Sequence, residues 1–247
     1  PPYMSGETAG HRLQRRRVDA NGLTFECLHS GEDDRLALCL HGFPDNAGSM
    51  APIIWRLADE GFTAVAPFMR GYAPTDPAPD GDYSARALGR DAIELAEVLG
   101  EEFDTDDAVL VGHDWGAAAA YAADRTDPDA FSKLVAMAVP PGFNVLLPTH
   151  HRQFLRSWYM WLFQLPDFPE RALRWRNFAL IELLWGTWSP GWDYPDSRIN
   201  DVKETFRAEG TVEHAVQYYR DTIDVPPSAL LGNGPSLNEV PSIETPT

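Results

Sequence analysis

Val109-Leu-Val-Gly-His-Asp-Trp-Gly116, followed by Ala117 to Ala120, is an apolar run that turns into a small-residue helix with Asp114 at the corner. It reads as a nucleophile elbow carrying a carboxylate. The spacing Gly112-x-Asp114-x-Gly116 suits a turn whose nucleophile has a strained backbone and whose helix packs close on the strand, so small residues flank it. A serine in that slot would have to lose a proton before attacking. A carboxylate is ionised at neutral pH and can displace a leaving group from an sp³ carbon directly. Taken in isolation, the same residues also fit a helix N-cap aspartate after a buried strand.

A second element precedes it. Leu36-Ala-Leu-Cys-Leu40 is an apolar run of strand length that opens into His41-Gly42-Phe43-Pro44. In an α/β-hydrolase sheet the loop after the third strand supplies one backbone N–H of an oxyanion hole, and the residue after the nucleophile supplies the other. Here those donors are Phe43 and Trp115. His41, Pro44 and His113 flank these loops and are expected to contact substrate. The pass along the chain supports this frame. Strand-like runs fall near 16–19, 23–29, 36–41, 63–67, 108–112 and 133–139, and helical patterns near 53–60, 84–99 and 117–125. Alternating strands and helices predict an α/β fold, a mostly parallel sheet with helices on both faces. After Pro140-Pro-Gly142 the texture becomes helical and tryptophan-rich, with Trp158, Trp161, Trp175, Trp185, Trp188 and Trp192. We therefore divide the chain into core (1–142), an inserted helical cap (143–231) and a return towards the core (232–247). The aromatic lining, Phe163 included, suits an apolar substrate and a dry cavity.

These motifs resemble the epoxide hydrolases of the α/β-hydrolase fold, from about Arg16 to the last residue. Ala66-Pro-Phe-Met-Arg-Gly-Tyr72 is similar to that family's Asp-x-Arg-Gly segment, with Phe68 where Asp is usual. The resemblance implies two cap tyrosines whose phenols hydrogen-bond the epoxide oxygen and protonate it as the ring opens. Tyr159-Met-Trp-Leu-Phe-Gln164 resembles the first tyrosine segment and Gln217-Tyr-Tyr-Arg220 the second, pointing to Tyr159 and Tyr219, with Tyr218 the competing choice. A phenol is a neutral donor near pH 7 and a stronger acid than an alcohol. The resemblance also implies a water-activating histidine and a relay acid near the C-terminus. No residue takes either role, since His214, the last histidine, falls in the helix leading to Tyr219 with an expected lid-surface role. Val240 to Thr247 resembles the approach to the acid-bearing strand, so the reading is of a truncated chain, competent for alkylation and prone to self-associate through an incomplete sheet.

Two other functions stay open. A haloalkane dehalogenase would use the same aspartate and Trp115, although Phe43 stands where many dehalogenases carry a side-chain donor. A ligand-binding remnant without turnover would need only the pocket. Composition narrows the setting. The net charge is −17, and the only lysines are Lys133 and Lys203, a pattern expected of a halophile's cytosol. Such a field argues against nucleic acid. Cys27 and Cys39, each inside a strand, read as buried thiols in a reducing, cytoplasmic setting. Arg15-Arg-Arg17 has no apolar segment after it and reads as the start of an exposed edge strand. No stretch is long and apolar enough to span a bilayer, so no membrane partner is expected. No metal or cofactor is expected either, for want of a P-loop, a dinucleotide fingerprint or clustered ligands.

Overall fold

The structure, a computed structural model, describes residues 12–143, 151–223 and 242–247. Strands β1 (Gln14–Ala20), β2 (Leu23–Ser30), β3 (Leu36–Leu40), β4 (Thr63–Pro67), β5 (Ala108–His113) and β6 (Lys133–Met137) form one sheet ordered β1-β2-β4-β3-β5-β6. β4, β3, β5 and β6 run parallel, while β1 and β2 join them as an antiparallel hairpin. That hairpin turns at Asn21-Gly22, both at positive φ, the backbone such a two-residue loop requires. Every residue of β3 and β4 is buried, which is why both read as unbroken apolar runs. β1 is the edge strand expected of the arginine run, with Arg15 and Arg17 exposed.

Helices α1 (Ala51–Asp59), α2 (Ala85–Phe103) and α3 (Trp115–Thr126) cover the sheet. The alanine run of α3 has a packing reason. A Cβ at Gly89 of α2 would stand 2.7 Å from the Ala122 backbone, so the two helices approach as closely as small residues permit. Ser84 caps α2, its hydroxyl accepting from the Ala87 N–H at 3.3 Å. The strand expected to reach residue 139 stops at Met137, because Ala138 takes φ 72° and turns the chain out of the sheet.

Helices α4 (His151–Arg156), α5 (Trp158–Leu162), α6 (Phe168–Arg174), α7 (Ala179–Trp188), α8 (Asp196–Arg207) and α9 (Thr211–Thr222) form a layer over the loops that follow β3, β4 and β5. The seam beneath them is aromatic. Tyr72, Phe163, Phe206, Tyr218 and Tyr219 are among the largest side chains that are fully buried. Burying rings of this size contributes about 2–3 kcal/mol each. Parts of the expected cap and return segments, 144–150 and 224–241, lie outside the described residues. Of the return segment, Thr245 N donates to Asp124 of α3 at 2.8 Å, and the Pro246 carbonyl accepts from Leu134 of β6 at 2.9 Å.

Candidate active site

Asp114 sits between β5 and α3 with φ 55° and ψ −112°, a conformation costly for a residue with a side chain. Two glycines make the turn possible. A Cβ at Gly112 would lie 2.2 Å from the Gly116 carbonyl, and one at Gly116 would lie 2.2 Å from the Leu40 carbonyl. The strand, the turn and β3 are in backbone contact, so the aspartate is fixed before any side chain is considered. Gly42 completes the cradle, since a Cβ there would stand 2.6 Å from the Asp114 carboxylate oxygen.

That carboxylate is bonded by the loop that follows β3. Phe43 N donates to Asp114 Oδ1 at 2.8 Å. Burial pushes the Asp114 pKa above the ordinary carboxylate value, opposed by the Phe43 N–H, the charge of His113 and the Trp115 N–H. Of the two donors named from sequence, the Phe43 N–H is bonded to this side chain.

The two tyrosines of α9 divide their roles. Tyr218 Oη donates to the Arg70 carbonyl at 2.8 Å and is committed to the core. Tyr219 Oη is buried without a hydrogen-bond partner, as is Trp115 Nε1. The Tyr219 ring meets Trp115 edge-on at 4.9 Å and Phe43 at 5.4 Å. Burial holds the Tyr219 phenol well above its usual pKa, reinforced by Tyr159 and Asp114, so it stays protonated. Tyr159 of α5 lies beside it with ring centroids 5.8 Å apart, and its own pKa is raised by burial and by Asp114. A cavity of about 270 Å³ opens onto Asp114, Trp115, Tyr219, Met160, Val139 and Ile223.

A family model for the α/β-hydrolase fold matches residues 38–218. The chain belongs to the α/β-hydrolase fold family. It is 32% identical over 233 residues to the AB hydrolase superfamily protein YfhM of Bacillus subtilis, covering 92% of this chain and 76% of that protein. It is 35% identical over 174 residues to epoxide hydrolase 3 of Xenopus tropicalis, covering 67% of this chain and 45% of that protein. The chain spans about half the length of the curated epoxide hydrolases it matches. The solved Bacillus megaterium epoxide hydrolase, in complex with an inhibitor, shares the fold at TM-score 0.76 and 24% identity, over 93% of this chain and 78% of that one.

Within this α/β-hydrolase the expected substrate contacts at His41, Pro44, His113 and Phe163 are revised, because none of them lines the cavity among the described residues. His41 is buried with both ring nitrogens bonded. Its Nε2 accepts from Met69 N at 3.1 Å, so Nδ1 carries the proton towards the Gly42 carbonyl at 3.0 Å. Burial lowers its pKa to about 4, and the ring serves as a neutral strut for the oxyanion loop. The Pro44 carbonyl accepts the Trp185 indole N–H at 3.1 Å. Phe163 is fully buried behind Phe43 and Tyr219, and His113 is exposed at the end of β5. Tyr159 also stands behind Tyr219 rather than on the cavity wall.

His214 is no lid-surface residue. Its Nδ1 donates to the Gly71 carbonyl at 3.1 Å and its ring stacks on Tyr83 at 5.1 Å, docking α9 onto the loop after β4. That loop is held from below by Arg70, which bonds both oxygens of buried Asp91 at 2.6 Å. Phe68, in the unusual position of this loop, is a buried core residue. Sequence reading missed Ala118, Tyr121 and Arg125 as cavity residues. The signal was present, since positions 114, 118, 121 and 125 fall on one face of a helix. Tyr72 was missed too; its Oη is buried without a partner, and its ring meets His41 edge-on at 4.9 Å.

Proposed function

We propose that this chain opens small apolar epoxides by forming an ester on Asp114. One observation carries the reading: a carboxylate bonded by the Phe43 N–H shares its cavity with a buried phenol, Tyr219, whose oxygen makes no regular hydrogen bond. The carboxylate attacks a ring carbon, the C–O bond breaks with its electron pair on oxygen, and that oxygen takes the Tyr219 proton. Tyr159 sits behind Tyr219 and supports the phenol as it becomes a phenolate. The products are a hydroxyalkyl ester and a phenolate that water reprotonates. Release of a vicinal diol would require water to attack the ester carbonyl, with the Phe43 and Trp115 N–H groups stabilising the oxyanion. Among the described residues no histidine lines the cavity, so alkylation is the half-reaction these residues supply.

The test is the intact mass of the chain after incubation with a panel of apolar epoxides, beside Asp114→Ala. A gain of one epoxide mass that is absent from the variant supports the nucleophile and the stalled ester. Diol with turnover would mean that a base acts from outside the described residues, and neither adduct nor diol would leave a binding role. Haloalkane dehalogenation is the second reading, favoured by the partnerless Trp115 indole N–H, a donor suited to halide. Phe43 offers no second side-chain donor, and haloalkanes in the same mass assay separate the two readings.

A further inference from the structure

Among the described residues, eight of the nine large apolar side chains left exposed lie on the cap, between Leu155 and Trp192. Three short helices, α5, α6 and α7, bring Trp158, Leu162, Phe168, Trp175 and Leu183 around one open groove of about 740 Å³ with Arg171 on its wall. Phe168, Trp175 and Leu183 are each more than half exposed. Soluble monomers seldom leave so much contiguous apolar surface in water without a use for it.

Basic residues are enriched in the same stretch of sequence. Five of the 20 basic residues but only two of the 37 acidic ones fall between Arg152 and Arg176. Glu170 is paired with Arg220 and Arg174 with Glu213, which leaves Arg171 on the groove wall and Arg176, whose guanidinium lies over the Trp175 ring at 4.8 Å. A surface built only for solubility would carry carboxylates here, as the rest of this strongly acidic chain does. Aromatic and aliphatic side chains beside Arg171 and Arg176 match instead a boundary between hydrocarbon and anionic headgroups. Tryptophan favours that depth, and each arginine near an anionic leaflet adds attraction. Pairing with a second copy across a two-fold axis would bring these arginines against their copies.

We propose that this face of the cap docks on an anionic phospholipid surface, with Phe168 and Leu183 entering the acyl boundary, Trp158 and Trp175 at headgroup depth, and Arg171 among the phosphates. Hydropathy windows gave no membrane partner because they detect spans, and this patch is assembled from separate short helices. Among the described residues no helix is long and apolar enough to cross a membrane, so the contact is peripheral. The proposal does not depend on the Asp114 chemistry.

The experiment is co-sedimentation of the chain with vesicles of phosphatidylglycerol and phosphatidylcholine, beside vesicles of phosphatidylcholine alone, at low and high salt. Binding to the anionic vesicles that salt weakens, with a blue shift of tryptophan emission, is the expected result. Phe168→Glu and Trp175→Glu should each weaken it about tenfold or more. Val135→Glu, at an exposed apolar residue on β6 away from the groove, should not. Circular dichroism of the variants shows that they remain folded. Equal binding to both vesicle types, or none to either, overturns the proposal. So does concentration-dependent self-association in sedimentation velocity that Phe168→Glu abolishes while vesicles recruit nothing, which would assign the face to a second copy.

Discussion

Around Asp114 the backbone leaves no room for a Cβ at Gly112 or Gly116, whereas Gly186 in α7 of the cap has nothing within 4 Å of the same position. The two halves of the site are thus held by different means. Asp114 is located by backbone against backbone, where the obstacle cannot move aside. Tyr219 is located by ring contacts with Phe43, Trp115, Tyr159 and Phe163, each able to adjust. The same substitution should then have opposite outcomes in the two regions. Gly116→Ala forces a Cβ against the Leu40 carbonyl and is expected to cost more than about 4 kcal/mol or to prevent folding. Gly186→Ala, in a helix with open space around it, should gain up to about 1 kcal/mol. Urea unfolding of both variants checks this, and a tolerated Gly116→Ala would break the contrast.

The halves meet at the oxyanion loop, where the next largest effect lies. Arg198 of α8 reaches across the seam to Asp45 and, at 3.0 Å, to Asn46 Oδ1. Asn46 Nδ2 in turn donates to Asp201 at 2.7 Å and to Thr205 at 2.9 Å. Arg198→Ala removes a buried cation and strands Asp45, at an expected cost of about 3 kcal/mol. The exposed Arg174–Glu213 pair, also within the cap, is the control, and Arg174→Ala should cost less than about 1 kcal/mol. Arg198→Ala should also slow adduct formation at Asp114, since the loop it braces carries the Phe43 N–H. Restoration of the rate by Arg198→Lys would show that charge alone suffices at that seam.

Acid separates the core by a titration of its own. His41 has a folded-state pKa of about 4 against 6.5 for a free side chain, so the unfolded chain takes up the proton first as pH falls. Stability is therefore lost from about pH 6.5 down to the folded value, and no further loss from this group follows below it. Between pH 7 and pH 5 the wild type should lose about 2 kcal/mol more than His41→Gln. Urea midpoints of both proteins at the two pH values check the difference. Adduct formation has a separate profile. It should fall as pH drops through a midpoint above the usual 3.8, because burial raises the pKa of the attacking carboxylate.

This division also explains what the sequence made legible. Steric need leaves a short-range trace: Gly112-x-Asp114-x-Gly116 marks the strand-to-helix turn, and His41-Gly42-Phe43 the loop that meets it at Asp114. The interior place of β3 and β4 follows from the same local logic, since both must be buried on both faces to read as they do. Contacts across the seam leave no such trace. That His41 faces Met69 rather than substrate, or that His214 binds Gly71, depends on segments 28 and 143 residues apart. Sequence offered His41 as a substrate contact and His214 as a lid-surface residue, and only the packing showed both His41 nitrogens and His214 Nδ1 already bonded.

Tyr218 and Tyr219 put the distinction into adjacent residues of α9 and give the smallest effect on stability. Tyr218 Oη is bonded to the Arg70 carbonyl, so Tyr218→Phe deletes a buried hydrogen bond and should cost about 1–2 kcal/mol. Tyr219 Oη is buried without a regular hydrogen bond, so Tyr219→Phe removes a poorly satisfied group and should leave stability unchanged or raise it by up to about 1 kcal/mol. The order reverses for chemistry. Loss of the Tyr219 phenol should slow ester formation on Asp114 by about 10²-fold or more, the scale of a positioned proton donor, while Tyr218→Phe should change it little. Thermal melts and the mass assay on the two variants read both axes. A Tyr219→Phe that lost stability and kept its rate would place this phenol in the packing of the seam, and the donor would have to be found elsewhere.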